Sequence, residues 1–542
     1  MAQLSKLTLP SLLENSFENY NRNKALSYVN GKPLLYSDLE KEIKATQELL
    51  LQNGIKKGVK VAILSRNMPN WGIMYFAITS IGAIAVPLLP DFHENEIRNI
   101  LEHSESKVIC VSRLMYSKIE TLPDNIIETI IFTDDFEIKR KTKSKEIIKT
   151  SVAEVEEDDL ASIIYTSGTT GNSKGVMLTH KNIVFDAIQV LTVEPVESRH
   201  RFLSILPLSH TYENTLGLVL PILQGATIFY LEKPPTASAL IPAMQKVEPT
   251  HILSVPMVIE KIYRNQILPK FTGNKILSFF YKKTPARIIF NKLAGKKLLK
   301  TFGGKLEFFG IGGAALDPVV EKFLREAKFP YAIGYGLTES APLLSGANPH
   351  VVRYRATGPV MEGVEIKIKD PDPKTGEGEV WAKGDNIMKG YYKEPELTKE
   401  VLTPDGWLKT GDLGYFGKDN FLYLKGRKKN MIVGSSGENI YPEEIESVIN
   451  NFKFVVESVV VEKKGKLIAL VHFNYEELEK QFHHLKDEAV SYARKKTDEL
   501  KHELKEHVNA QVNKFSKIYT VVPQKSPFKK TATQKIKRYL YH

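Results

Sequence analysis

Short apolar, β-branched runs alternate with helical patterns over most of the chain. Residues 59–64, 108–111, 130–132 and 251–255 read as buried strands. This alternation predicts α/β architecture with parallel, doubly wound layers. Two stretches, 71–90 and 215–231, carry no charged residue. Each approaches the roughly 20 apolar residues of a membrane span. Each also holds a glycine where a helix could stop, because glycine takes the left-handed backbone that ends helices. The first is expected to run as helix through Ile81, stop at Gly82, and resume as a strand over 84–88 cut by Pro87. The second is expected to run as helix to Gln224, stop at Gly225, and resume as a strand over 227–231. No membrane span is expected from either.

The texture changes over 365–425, where Gly, Pro and Asp turns separate short strands such as 379–383 and 421–424. This predicts a smaller β-rich subdomain attached to the large N-terminal part. A basic segment, 426–430, leads into an α+β region. Within it, 476–515 has helical spacing, with Leu478, Phe482, Leu485, Ala489, Leu500, Leu504, Val508 and Val512 three to four residues apart or in the same phase.

Composition narrows the classes. The chain has 542 residues, 42% of them hydrophobic, which excludes a disordered protein. That length predicts two or three domains. The only cysteine, Cys110, excludes a disulfide framework and a Cys-ligated metal centre, and fits a reducing cytoplasm. The first 20 residues are mixed and polar, so no secretory signal is expected. The net charge is +12, which admits nucleic acid, an anionic membrane surface or phosphate-rich small molecules as partners. The charge is local, however. Residues 261–306 hold 12 basic and no acidic residues, and 511–542 hold 8 basic and none acidic. The remainder is net acidic, and no nucleic-acid-binding module is visible. No nucleic acid partner is expected.

The most informative stretch is 161–180, ASIIYTSGTTGNSKGVMLTH. A strand over 162–165 runs into a loop in which every residue from Thr166 to Ser173 except Asn172 is Ser, Thr or Gly. Lys174 follows. Small residues let backbone approach a phosphate, hydroxyls and N–H groups donate to it, and the lysine supplies charge. A Walker A loop is excluded, because Ser173 stands at its second glycine and Gly175 where Ser or Thr should bind magnesium.

YTSGTTGNSKGV at 165–176 closely resembles the signature loop of the AMP-forming adenylating superfamily, which includes acyl-CoA synthetases, adenylation domains and luciferases. The resemblance continues in order through LPLSH at 206–210, GYGLTE at 334–339, KTGD at 409–412, GRKKN at 426–430 and TATQKIKR at 531–538. It covers nearly the whole chain. It implies activation of a carboxylate by ATP to an acyl-adenylate, with ATP, magnesium and CoA as cofactor and co-substrates. By this resemblance the loop from Ser167 to Lys174, with Gly168, Thr169, Thr170 and Gly171, holds the β- and γ-phosphates, and Thr166 lies at its mouth. Glu339 binds magnesium, Thr338 the α-phosphate, and Tyr335 and Gly336 lie against the adenine. Asp412 and Arg427 take the ribose. Gly312, Gly313 and Ala314 form the adenine and acyl-pocket wall. His210 either lies beside the acyl carboxylate or is simply hydrogen-bonded structure. It is not needed as a base, since a carboxylate is already a nucleophile.

Lys535 resembles the family's late catalytic lysine, which bridges the carboxylate and the α-phosphate. Lys529, Lys530 and Lys537 lie close enough in sequence to compete for that assignment. The resemblance further implies two domains, 1–427 and a mobile 428–542, with a hinge at Lys429. Rotation would bring 434–442 toward the site, with Gly437, Glu438 and Asn439 lining a CoA channel. That loop is one residue short of the hydrolase elbow G-x-S-x-G. Gly310-x-Gly312-x-x-Ala315 satisfies a loose dinucleotide fingerprint, but the acidic residue expected about 20 positions later has no good candidate, so NAD is not expected.

The wording around LPLSHTYE, GGAAL and GSSGENIYPEEIE most resembles bacterial long-chain fatty acyl-CoA synthetases. The expected substrate is therefore a long-chain fatty acid. Alternatives are a ligase that loads an acyl carrier protein and a synthetase for a medium-chain or aryl acid. The basic segment 261–306 also carries Ile276, Leu277, Phe279, Phe280, Ile289 and Leu293. It reads either as a dock on an anionic bilayer, which would make the protein peripheral on the inner face of the cell membrane, or as a solvated basic face.

Overall fold

The computed structural model describes residues 4–141, 153–167, 173–434, 438–476, 489–531 and 535–541. Two large sheets dominate. The first has seven strands in the order Leu26–Tyr28, Thr227–Tyr230, Arg201–Ser204, His251–Ser254, Phe308–Ile311, Tyr331–Gly336 and Leu343–Gly346. All neighbours pair in parallel except the last two, which are antiparallel. The second has eight strands, ordered Gly390–Tyr391, Ser173–Thr179, Leu160–Ser167, Ile84–Leu88, Lys60–Leu64, Val108–Val111, Thr129–Phe132 and Ile138–Lys141. Its five inner strands are parallel.

Helices cover both faces of each sheet, which is why the strands read as unbroken apolar runs. Alternation along one strand shows the layering. Val61 and Ile63 join the largest apolar cluster, whereas Ala62 and Leu64 join a second cluster on the opposite face. The largest cluster lies between the two sheets and holds the helices Leu9–Tyr20, Pro69–Ser80 and His180–Val193. A third cluster covers the outer face of the first sheet. The expected doubly wound architecture is present.

Both uncharged stretches are buried helix–turn–strand units. Helix Pro69–Ser80 is followed by Gly82 at φ 71° and strand Ile84–Leu88. The strand is not cut by Pro87, which stays in register opposite Ile63. Pairing on the other side is recorded only at Ala85 with Ser162, so the donor that proline lacks falls beyond that bridge. In the second unit, Thr211–Asn214 and Leu220–Leu223 are α-helical and Thr215–Val219 between them is a π-turn. Gly225, at φ 70°, ends the helix, and its α-carbon packs so closely on the Tyr20 ring that a side chain would overlap it. Among the described residues, no helix is long and apolar enough to cross a membrane.

The β-rich region is a four-stranded antiparallel sheet of Val364–Lys369, Gly378–Gly384, Leu408–Phe416 and Leu422–Arg427. After it, helix Pro442–Asn450, strands Val455–Lys463, Lys466–Phe473 and Thr520–Gln524, and helix Ala489–Asn509 form an α+β unit. Its own core contains Ile445, Ile449, Val460, Val471, Leu500, Leu504 and Val508. The helix expected to 515 stops at Asn509, and Val512 packs on the same core from beyond its end. Leu478, Phe482 and Leu485 lie outside the described residues.

Candidate active site

The centre of the site is an antiparallel hairpin. Strands Leu408–Phe416 and Leu422–Arg427 pair so that Asp412 stands opposite Arg427. Arg427 Nε lies 2.9 Å from Asp412 Oδ1, and Tyr335 Oη donates to Asp412 Oδ2 at 2.7 Å. Asp412 N–H donates to Thr410 Oγ1 at 3.1 Å, and an Arg427 Nη donates to the Thr410 carbonyl at 2.9 Å. Burial pushes the Asp412 carboxyl above its ordinary value, against the opposing pull of Arg427, the Tyr335 hydrogen bond and Lys535. Burial, then the charge on Asp412, holds the Tyr335 hydroxyl well above its ordinary range.

Lys535 reaches this centre from the end of the chain. Thr531 N–H donates to the Lys535 carbonyl at 2.8 Å, and Lys535 N–H donates to Thr531 Oγ1 at 3.2 Å, which ties the backbone of Lys535 to Thr531. The side chain is open to solvent but stands in a cleft crowded with protein. That crowding, and then the charge on Arg427, pushes its ammonium pKa down, while Asp412 and Glu339 pull it up. Lys530, one competitor for the role, is committed to Glu457 at 2.6 Å.

His210 is the residue before helix Thr211–Asn214. Burial, and then Lys535, pushes its pKa down to about 4, so the ring is neutral at pH 7. Its Nδ1 is buried with no hydrogen-bond partner among the described residues.

Thr166 and Lys174 face each other across the hairpin formed by Leu160–Ser167 and Ser173–Thr179. The glycine-rich segment therefore connects two antiparallel strands. A Walker A loop instead leads from a strand into a helix. Gly168, Thr169, Thr170 and Gly171 lie outside the described residues. Strand Gly390–Tyr391 pairs antiparallel with Val176 and Met177, which brings Tyr391 under Lys174. Lys174 Nζ lies 5.2 Å from the Tyr391 ring centroid, and Tyr391 Oη donates to Glu339 Oε1 at 2.8 Å.

Thr338 and Glu339 sit half-buried in the turn Thr338–Ser340. Three contacts brace it. Met388 N–H donates to the Glu339 carbonyl at 2.9 Å, and Asn386 Nδ2 donates to the Ser340 and Leu343 carbonyls at 3.0 and 2.7 Å. Gly336 runs so close to the Pro342 carbonyl that a side chain would overlap it. Among the described residues, no group of three His, Cys, Asp or Glu could hold a metal. A lone carboxylate is the donor set for magnesium that arrives on phosphates, since that ion keeps waters and phosphate oxygens as most of its ligands.

Gly312 is buried, Gly313 (φ 83°) and Ala314 are exposed, and all three lie in the turn after strand Phe308–Ile311. A side chain at Gly312 would come within 3.2 Å of the Tyr212 ring, and one at Gly310 within 3.0 Å of Tyr212 Oη. Tyr212 and Gly310 also line an apolar cavity of about 50 Å³ that continues between Leu216, Leu253, Phe308 and Leu343. Tyr212, two residues on from His210, thus stands both against the Gly310–Gly312 turn and in the cavity wall.

Lys429 occupies the turn Lys428–Asn430 directly after Arg427. Burial, then Arg427 and Lys174, lowers its pKa. Strand Asn439–Ile440 pairs antiparallel with Ile432–Val433, and Gly434 N–H donates to the carbonyl of Glu438, the residue before that strand, at 2.8 Å. None of the hydrogen bonds or ion pairs found among the described residues joins Glu438 or Asn439 to the cleft. Gly437 lies outside the described residues. The structure therefore gathers Tyr335, Glu339, Asp412, Arg427, Lys535 and His210, adds Lys174 through Tyr391, and leaves the proposed channel residues apart.

Tyr391, Asn386 and Tyr212 were not singled out in the sequence. Tyr391 sits in the run GYYKEP, and aromatic residues after a glycine in a β-rich stretch were the only available signal. Its partners lie more than fifty residues away along the chain, and only the strand pairing unites them.

The family model described as AMP-binding enzyme matches residues 13–392. Fatty acyl-CoA synthetase A of Dictyostelium discoideum is 30% identical, over 80% of this chain and 70% of that one. An Arabidopsis thaliana chloroplastic protein named long-chain-fatty-acid–[acyl-carrier-protein] ligase AEE15 is 27% identical, over 87% of this chain and 77% of its own. Among solved structures, o-succinylbenzoate CoA synthetase from Bacillus subtilis, in complex with its acyl-adenylate intermediate, superposes with a TM-score of 0.76. It is 23% identical and covers 98% of each chain.

Proposed function

Because the chain belongs to the AMP-binding enzyme family and is an AMP-forming, acyl-adenylate-forming ligase, we propose that it activates a long-chain fatty acid with ATP and passes the acyl group to CoA. The observation that carries this reading is one cleft. It brings Lys535, Arg427, Asp412 and Glu339 together with His210, and Tyr212, two residues on from His210, lines an apolar cavity.

A carboxylate is inert toward a thiol, because oxide does not leave. In the first step a carboxylate oxygen bonds to the α-phosphorus of ATP and the bond to pyrophosphate breaks. Two anions must approach each other, so the site must supply positive charge and fixed orientation. Lys535 supplies charge where the carboxylate and α-phosphate meet, and Lys174 supplies it at the leaving phosphates. Asp412, oriented by Tyr335 and Arg427, accepts from the ribose hydroxyls. Glu339 would hold magnesium that enters with ATP, and that ion would neutralise phosphate charge, while Thr338 donates to the α-phosphate. Neutral His210 offers a polar contact to the carboxylate without taking its proton. In the second step the thiolate sulfur bonds to the acyl carbon and AMP leaves with the bonding electrons.

Lys535 occupies the space the thiol needs. We assign residues 1–427 to one domain and 428–542 to a mobile second, turning at Lys429 between the two steps so that 437–439 approach the site. The named function of the Dictyostelium relative supports CoA as acceptor. That of the Arabidopsis relative supports a second reading, transfer to an acyl carrier protein.

Residues 261–306 are assigned to the surface of an anionic bilayer. Ile276, Phe279, Ile289 and Leu293 are 68, 57, 59 and 59% exposed on the helices Lys275–Tyr281 and Thr284–Thr301. Lysines flank them, including Lys283, whose Nζ lies 4.6 Å from the Phe279 ring. Arg264 and Arg287 pair with Asp317 and Glu326, and the exposed large apolar side chains among the segment's lysines favour a membrane over a merely solvated face.

ATP–pyrophosphate exchange across unbranched acids from butyrate to arachidate tests the activity. Exchange that rises with chain length, and thiol consumption when CoA is added, is expected. Exchange confined to short or aryl acids would overturn the substrate, and exchange without thiol consumption would favour the carrier-protein reading.

A further inference from the structure

The apolar cavity beside the cleft ends against an unusual wall. The cavity is lined by Glu194 and His251, and His251 pairs with Phe308 two residues before Leu253 pairs with Gly310, the glycine that Tyr212 packs on. His251 is held flat between Phe202 and Phe308, with ring centroids at 4.8 and 5.6 Å and interplanar angles of 22° and 25°. Its side chain is 2% exposed, and Nδ1 lies 3.0 Å from Thr250 Oγ1. Its Nε2 points at Glu194 Oε1 from 3.6 Å and has no hydrogen-bond partner among the described residues. Glu194, 15% exposed, caps helix His180–Val193. Behind the pair, the His200 ring packs against His251 with centroids 4.4 Å apart and a 40° tilt, and Arg199 and His200 both contact Glu307.

We propose that Glu194 and His251 are specificity-determining residues: a rigid polar end-stop that limits the length of the acyl chain this enzyme accepts. The inference rests on the fatty-acid reading above. The cavity holds about 50 Å³, well under the 150 Å³ or so that admits benzene. A chain must therefore displace wall residues to enter. Leu216, Leu253 and Leu343 can change rotamer, but His251 is clamped between two rings and cannot give way. A methyl terminus that reaches the pair displaces the solvent that still touches the 15%-exposed Glu194 carboxyl, and it satisfies neither that carboxyl nor the buried, unpaired imidazole nitrogen. Shorter chains avoid that loss.

Charge on Glu194 adds a dependence on pH. Burial holds its carboxyl up at about 7, with His200 and His350 opposing and Glu307 reinforcing the rise. His251 and His200 are pushed down to about 4 and stay neutral across the range, and Arg199 remains paired to Glu307. Below pH 7 the stop is neutral and a methyl group is tolerated better. Above it the carboxylate is charged and rejects the longest chains more strongly.

The test measures ATP–pyrophosphate exchange on the full-length protein over the same acid series, as the ratio of kcat/KM for acids on either side of the wild-type optimum. Glu194→Ala and His251→Ala are expected to move the optimum at least two carbons longer and raise the long-to-short ratio at least tenfold, the scale set by one or two methylenes. Glu194→Gln, which keeps the size, is expected to remove the fall of that ratio between pH 6 and pH 8.5 even if either alanine variant fails to fold. An unchanged optimum in the alanine variants that fold, with a ratio equally pH-dependent in wild type and Glu194→Gln, overturns the end-stop. If the wild type exchanges with no unbranched fatty acid, the fatty-acid reading falls and the end-stop with it. Wild-type exchange with an unmoved profile overturns the end-stop alone.

Discussion

Tyr335 Oη donates to Asp412 Oδ2 at 2.7 Å while Arg427 holds the other carboxylate oxygen at 2.9 Å. Both oxygens of a buried acid are thereby aimed before any ligand arrives. Tyr335→Phe removes one donor and leaves the ring in place. A hydrogen bond to a charged group contributes about 1.5–3 kcal/mol, so kcat/KM for ATP should fall about tenfold or more. Loss of a donor to the charged form also raises the Asp412 pKa further. The acidic limb of the rate profile should therefore move to higher pH. A limb that stays in place would deny Asp412 the role of ionised nucleotide contact.

The alkaline limb reports Lys535. Crowding and Arg427 hold its pKa below the ordinary 10.5. Adenylation requires the ammonium form, so activity should decline before a free lysine would lose its proton. Arg427→Gln removes a like charge and should move that limb upward, whatever it does to the affinity for ATP. An alkaline limb unmoved by this change would separate Lys535 from Arg427.

A buried acid away from the chemistry sets a stability slope. Ser204 Oγ donates to Glu213 Oε1 at 2.6 Å, and burial pushes this carboxyl up to about 8 from 4.5. Between those values the folded protein holds a proton that the unfolded chain has lost, so stability is full below 4.5 and declines as pH rises through about 8. Glu213→Gln should flatten the fall in Tm over that window. Parallel curves for the two proteins would show that Glu213 is ionised in the fold.

Membrane docking is separable from catalysis. Changing Lys282, Lys283, Lys292 and Lys296 to Glu should reduce co-sedimentation with phosphatidylglycerol vesicles more than a hundredfold, at about 1 kcal/mol for each cation lost. Binding that survives the reversal would leave 261–306 as a solvated face.

What the sequence disclosed depended on distance along the chain. Gly82 and Gly225 marked helix ends correctly because a left-handed residue acts locally, whereas Pro87 misled because the ladder it cannot join had already ended at Ala85. Asp412 and Arg427 were legible as short motifs, and the hairpin that pairs them spans few residues. The bond from Tyr391 to Glu339 was not legible, because it depends on strand 390–391 crossing to Val176 and Met177. Nor was the end-stop. Glu194 closes one helix, His251 opens a strand from another part of the sheet, and no local spacing joins them.

The central claim is that Lys535 serves adenylation and must then leave. Lys535→Ala tests it directly when the two half-reactions are measured separately, as ATP–pyrophosphate exchange with a fatty acid and as thioester formation from supplied acyl-AMP and CoA. Removal of one charge aimed at the transition state predicts a loss of about 10²–10³ in exchange, with thioester formation kept within a few-fold of wild type. An equal loss in both half-reactions would contradict it.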